Sequence, residues 1–229
     1  MAMNLSVPLL SLLETRVLGV LVEKERTVVD TYPLSLNALT AGCNQKSNRD
    51  PVIEATDAEV QAAVDALKSR TLVIESSGAR VARYSHNVGR VLRVPDQAVA
   101  LLAALMLRGA QTSAELRTGT ERLHRFADIS SVEAFLEELG SRPEEQGGPL
   151  VKHLARRPGE REARWMHCLS GPPADEYASA QAHAPGPVDV SVSVSEIAAL
   201  KAHVGRLEDE VAQLRARFDQ LTRELGVSG

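Results

Sequence analysis

Between Thr56 and His86 the spacing of apolar positions changes once. Val60, Val64 and Leu67 recur at the three-and-four interval of a single helix face. Thr56 and Glu59 precede them at the Ser/Thr-x-x-Glu spacing of a capping box, and Lys68 and Arg70 close the helix where its dipole favours cations. The run L-V-I-E-S-S-G-A-R-V-A-R-Y-S-H then reads as two short strands turning at Ser77-Gly78. The same order returns further on. Ser130 and Glu133 have capping-box spacing, Val132, Phe135, Leu136 and Leu139 form a second helix face, and a second hairpin turns at Pro158-Gly159. Ala82-Arg83-Tyr84-Ser85-His86 reappears as Ala163-Arg164-Trp165-Met166-His167. A matched strand after a matched helix implies an internal repeat of about 80 residues, one folding unit per copy.

The remaining pattern fills in each copy. Ser11 and Glu14 open a first helix of roughly 14 residues, with Leu10, Leu13, Val17 and Leu21 on one stripe. Thr27 to Pro33 reads as extended chain, Ser35 caps a short helix from Leu36 to Cys43 ended by Asn44, and Asn44 to Pro51 is a polar loop. In the second copy a helix begins at Pro95, turns Val99, Leu102, Leu105 and Met106 inward, and stops at Gly109. Thr112 and Glu115 open the next helix, carried to about Leu123, and Phe126 to Ile129 is a turn. Helix, short helix, helix and hairpin is the order of a winged helix-turn-helix. The fold class expected is mainly α with small antiparallel β-hairpins: two tandem winged helix-turn-helix domains, 5–94 and 95–169, and a C-terminal coiled-coil helix.

Residues 170–195 hold Pro172, Pro173, Pro185 and Pro187 among Ala, Gly and Ser, a linker whose ends as flexible coil would lie roughly 25–30 Å apart. Val188, Val190, Val192 and Val194 alternate with polar residues within it. In 196–226 the apolar positions Ile197, Leu200, Val204, Leu207, Val211, Leu214, Phe218, Leu221 and Leu225 alternate spacings of three and four, which is a coiled-coil seam. Ile, Val, Val and Phe at a, with Leu at every d, favour a parallel homodimer. The g–e pairs Glu196–Lys201, His203–Glu208 and Glu210–Arg215 agree with that arrangement.

Composition narrows the function. The net charge is −4, and the two copies are near balance, with 11 Lys/Arg against 10 Asp/Glu over 5–94 and 10 against 11 over 95–169. Nucleic-acid binding would therefore depend on local patches. Cys43 and Cys168 lie in different copies with no Cys-x-x-Cys or His cluster, which argues for a reducing compartment and against structural zinc. The N-terminal apolar run lacks a basic n-region, and no stretch approaches the length of a membrane span, so a cytoplasmic location and no membrane partner are expected.

No nucleophile elbow, P-loop, dinucleotide fingerprint or metal-spaced set is present, and the chain reads as non-enzymatic, with no cofactor and no metal. His86 and His167 hold equivalent places beside Tyr84 and Trp165, on a strand face expected to pack against the helices. The candidate contacts to double-stranded DNA are the basic residues of the hairpins and of the loop before the third helix, together with one amide of that loop. They are Lys68, Arg80 and Arg83 around the first hairpin, Lys46, Asn48 and Arg49 in the loop, and Arg156, Arg157 and Arg161 in the second hairpin. Edge strands also carry such charges merely to stay soluble. The third helices themselves expose Asp57, Gln61 and Asp65, and Glu133, Glu137 and Glu138, which repel phosphate. Wing and loop contacts are therefore expected over helix insertion. The alternative is a winged-helix protein-interaction scaffold without DNA binding, as in segregation and condensation protein B.

T-Y-P-L-S-L-N-A-L, C-N-Q-K-S-N-R-D-P-V, L-R-G-A-Q-T-S-A-E-L-R and R-P-G-E-R-E-A-R-W-M-H resemble the bacterial YceH-like family over roughly residues 10–170. The resemblance implies tandem winged-helix domains and little about function, because that family is largely uncharacterised.

Overall fold

A computed structural model describes residues 9–76, 81–156 and 159–171, which lie within one compact unit. Among them the chain is mainly helical with two small antiparallel sheets, each of two strands. The first half runs α1 (Leu12–Thr27), a 3-10 turn (Val29–Thr31), α2 (Leu36–Cys43), α3 (Asp57–Ser69), β1 (Val73–Ser76) and β2 (Arg83–His86). A short α4 (Val88–Leu92) leads to the second half: α5 (Asp96–Arg108), α6 (Ser113–Gly119), α7 (Ile129–Gly140), a 3-10 turn (Glu144–Gln146), β3 (Val151–His153) and β4 (Trp165–His167).

Local sequence chemistry fixes most helix starts. Ser11, Thr56 and Thr112 each accept from the backbone N–H three residues on, while Glu14, Glu59 and Glu115 reach back to the cap, so three capping boxes form. The box expected at Ser130 and Glu133 does not. Asp128 caps α7 instead, accepting from the Ser131 N–H at 2.7 Å, and the helix begins two residues earlier than that box implies. Asp128 carries a full charge where Ser130 offers only a hydroxyl, and charge strengthens a cap. Three other boundaries differ. α1 reaches Thr27 and a 3-10 turn occupies part of the expected extended segment, α6 ends at Gly119 rather than near Leu123, and α4 has no counterpart in the expected repeat.

In each half the segment before the second helix pairs with the second strand of the hairpin. Leu34 and Tyr84 exchange backbone hydrogen bonds of 3.1 and 2.8 Å, and Gln111 and Trp165 exchange bonds of 3.0 and 2.7 Å. The registers agree as well, with Val73 opposite His86 and Val151 opposite His167. The turn at Ser77-Gly78 and Pro158 lie outside the described residues, as do residues 172–229 with the linker and the heptads.

The core is continuous across both halves, because α1 packs most extensively on α5. Every residue from Ala98 to Leu107 is buried, so α5 turns in on all its faces rather than along the single expected stripe. Its further face meets α1, which is buried throughout Glu14 to Val22. The two helices approach closely at Gly19, where an added Cβ would lie 2.8 Å from Leu107 Cγ. Arg26 and Asp96, 2.7 Å apart, join the opposite ends of the pair. No helix among the described residues is long and apolar enough to cross a membrane.

Candidate nucleic-acid interface

The loop from Asn44 to Pro51 owes its shape to two arginines that do not face solvent. Arg16, fully buried in α1, donates to the Cys43 carbonyl at 3.2 Å and the Pro51 carbonyl at 2.6 Å, clamping both ends of the loop. Arg49 has a fully buried side chain. Its Nη1 and Nη2 bind the Glu23 carboxylate at 3.2 and 2.7 Å, and its Nε donates to the Gly42 carbonyl at 3.1 Å. Asn44 ties the far side, exchanging two 2.8 Å bonds with the Ala55 backbone. Arg49, expected as a phosphate contact, is therefore a structural ion-pair partner with no surface to offer.

Two more candidates are also engaged. Arg83 Nη1 donates to the Thr31 and Pro33 carbonyls at 3.2 and 2.8 Å, and its repeat counterpart Arg164 donates to the Ala110 carbonyl at 3.0 Å and pairs with Glu115 at 2.7 Å. Both arginines fasten the aromatic strand to the segment that bridges it. Lys68 pairs with Glu75 and, at longer range, Asp65, which raise its pKa, and Arg70 pairs with Glu14 at 2.8 Å. Carboxylates from α1, α3 and β1 thus pair with part of the positive charge around the first hairpin. Arg80 and Arg157 lie outside the described residues. Lys46, Asn48, Arg156 and Arg161 are exposed, and the three cations have no ion-pair partner among the described residues.

The structure adds cations that the repeat pattern did not single out. Gln45 and Asn48 line a cleft of about 1020 Å³ together with Arg108, Arg122 and Arg164 of the second half. Arg108 and Arg122 have no ion-pair partner among the described residues. Asp50, Glu115 and Glu121 line the same cleft, so its polarity is mixed rather than uniformly basic. Sequence spacing gives no hint of this grouping, because it depends on the Asp50 N–H reaching the Leu107 carbonyl at 2.8 Å across the two halves.

The third helices keep the acidic outer faces expected of them. Asp57, Asp65, Glu133, Glu137 and Glu138 are exposed. Gln61 is half-buried, accepting from the Tyr84 hydroxyl at 3.1 Å and donating to Asp65 at 3.1 Å. The strand faces pack inward as expected: Tyr84 is buried and Trp165 lies against the core. The two histidines differ despite their matched positions. His86 Nε2 lies 3.0 Å from Glu25, whereas His167 is buried, has no partner for Nδ1 among the described residues, and is pushed down to about 4 by that burial. Burial likewise pushes the Cys43 thiol up to about 12, which leaves it protonated and poorly nucleophilic at neutral pH.

These features define a mainly helical protein in which two helix-and-hairpin halves share one core. The family described as "Protein of unknown function, DUF480" matches residues 10–160, and the chain belongs to it. It is 58% identical over 219 residues to the UPF0502 protein of Dechloromonas aromatica (strain RCB), covering 96% of this chain and 99% of that one. It is 56% identical over 215 residues to the UPF0502 protein of Acidovorax sp. (strain JS42), covering 94% and 93% respectively.

Proposed function

We propose that this protein is a cytoplasmic, non-enzymatic DNA-binding regulator of the YceH-like type, built from tandem winged helices and dimeric through residues 196–226. The observation that carries the winged-helix reading is the duplicated bridge, Leu34 with Tyr84 and Gln111 with Trp165. It ties the segment before the second helix of each half to the hairpin by a single-residue bridge, as a wing packed on a helix-turn-helix requires. Cations without an ion-pair partner among the described residues support backbone contact: exposed Lys46 in the loop, half-buried Arg108 and exposed Arg122 along the cleft, and exposed Arg156 and Arg161 on the second hairpin. Acidic α3 and α7 disfavour insertion of either helix into the major groove.

The test is duplex binding as a function of salt. Replacing Arg156 and Arg161 together by Ala is expected to lower the slope of log affinity against log salt by about 1.8, and Lys46→Ala by about 0.9, with sequence preference unchanged. Arg83→Ala should leave that slope nearly intact, since its guanidinium holds Thr31 and Pro33. Absence of duplex binding even at low salt would favour the second reading, a protein-interaction scaffold, which the exposed carboxylates of α3 and α7 support.

Assembly is tested separately. Removing residues 194–229 should convert a dimer into a monomer at micromolar concentration by light scattering. An unchanged mass ratio would exclude the coil as the interface.

A further inference from the structure

An apolar groove of about 810 Å³ lies beside the second hairpin, walled by Val151, Trp165, His153, Pro149 and Cys168. Trp165 and His153 form one side, their rings 4.5 Å apart. Leu9 and Gly171, the two ends of the described stretch, both line it. Leu9 is 66% exposed there, and the Leu10 N–H donates to the Leu169 carbonyl at 2.8 Å, so the chain enters α1 along the edge of this groove.

We propose that the groove is covered by the chain's own residues 1–8. Met1, Met3, Leu5, Val7 and Leu9 alternate with Ala2, Asn4, Ser6 and Pro8. In an extended backbone successive side chains point to opposite faces, so Val7, Leu5 and Met3 share the face on which Leu9 already meets the groove. At about 3.3 Å per residue, Val7 and Leu5 follow Leu9 at roughly 7 and 13 Å, within the span of such a cavity. The charge pattern selects this segment over the other one leaving the groove. Residues 1–8 carry no charged side chain, whereas the chain beyond Gly171 begins P-P-A-D-E and would bring Asp175 and Glu176 toward Glu137 and Glu144 on the groove wall. The strap would remove from water an apolar opening that otherwise includes the exposed Leu9.

Trp165 is the single tryptophan, so its emission reports this groove alone. In the full-length protein, the double variant Leu5→Asp/Val7→Asp is expected to red-shift Trp165 emission, increase its quenching by acrylamide and raise binding of a hydrophobic dye. Asn4→Asp/Ser6→Asp adds the same charge on the opposite face and should change none of the three. Far-UV circular dichroism is measured on both, and the strap requires it to be unchanged. Equal responses from the two pairs, or no response from either, would overturn the proposal. Emission that depends on protein concentration and not on either pair would overturn it in favour of a second copy as the cover.

Discussion

Arg49→Ala is expected to destabilise the fold by about 3–5 kcal/mol, the range for removing one partner of a buried ion pair. For a chain of this size that lowers the melting temperature by roughly 6–20 °C. The loss has several parts. Glu23, its side chain only 15% exposed, would keep its charge without the bidentate partner, and the Gly42 carbonyl would lose its donor. Burial pushes the Glu23 carboxyl up, but the Arg49 hydrogen bonds and charge outweigh burial and hold it below its ordinary value. A depressed carboxyl contributes stability that is present above its unfolded pKa and lost as pH falls through the folded one. The gap between the wild type and Arg49→Ala should therefore be widest at neutral pH and narrow in acid. Urea titrations at pH 7 and at about pH 3.5, below the ordinary carboxyl range, would measure it. A variant as stable as the wild type, but with a weaker salt dependence of DNA binding, would return Arg49 to the surface role that its loop suggests.

Acid should act on the second half through His167. The folded ring titrates at about 4 against an ordinary 6.5, because burial disfavours its charged form. The unfolded chain then takes up the proton first, so this contribution is complete above pH 6.5 and declines as pH falls toward 4. The linkage amounts to about 2 kcal/mol by pH 5 and approaches about 3 kcal/mol at lower pH. His167→Leu fills a similar volume and should remove that dependence, flattening the difference in unfolding free energy between pH 7.5 and pH 5. If His167→Leu and the wild type lose stability in parallel over this window, another group carries the linkage.

The elements were legible wherever local chemistry decides them. Cap residues, the Pro95 start and the Gly109 stop act within a few residues, and α2 occupies the expected Leu36–Cys43 because Ser35 and Asn44 bound it. Ser130 misled because two residues in one short turn could cap α7, and spacing does not weigh a charged oxygen against a neutral one. The candidate site was far less legible. A polar loop does not disclose which side chain turns inward, so Arg49 and Lys46 look alike in sequence and differ entirely in surroundings. One signal was present and unused. Val17, Leu18, Val20, Leu21 and Val22 make α1 apolar nearly all round, which leaves Arg16 no solvent face and obliges it to hold carbonyls. The cleft that gathers Asn48, Arg108 and Arg122 was invisible, because it follows from how the halves meet.

That meeting also governs the history open to the chain. Tandem repeats whose copies each own a core can lose or exchange a copy and survive. Here equivalent first helices, α1 and α5, wall each other in, and Gly19 has become the fitted seat of Leu107 from the other copy. A half cut at residue 94 would bare a helix with no polar side, and a side chain gained at position 19 would have to be answered in a repeat some eighty residues away. The two halves thus answer to one another: a change at their common wall must be accommodated on both sides of it, and neither half closes its core alone.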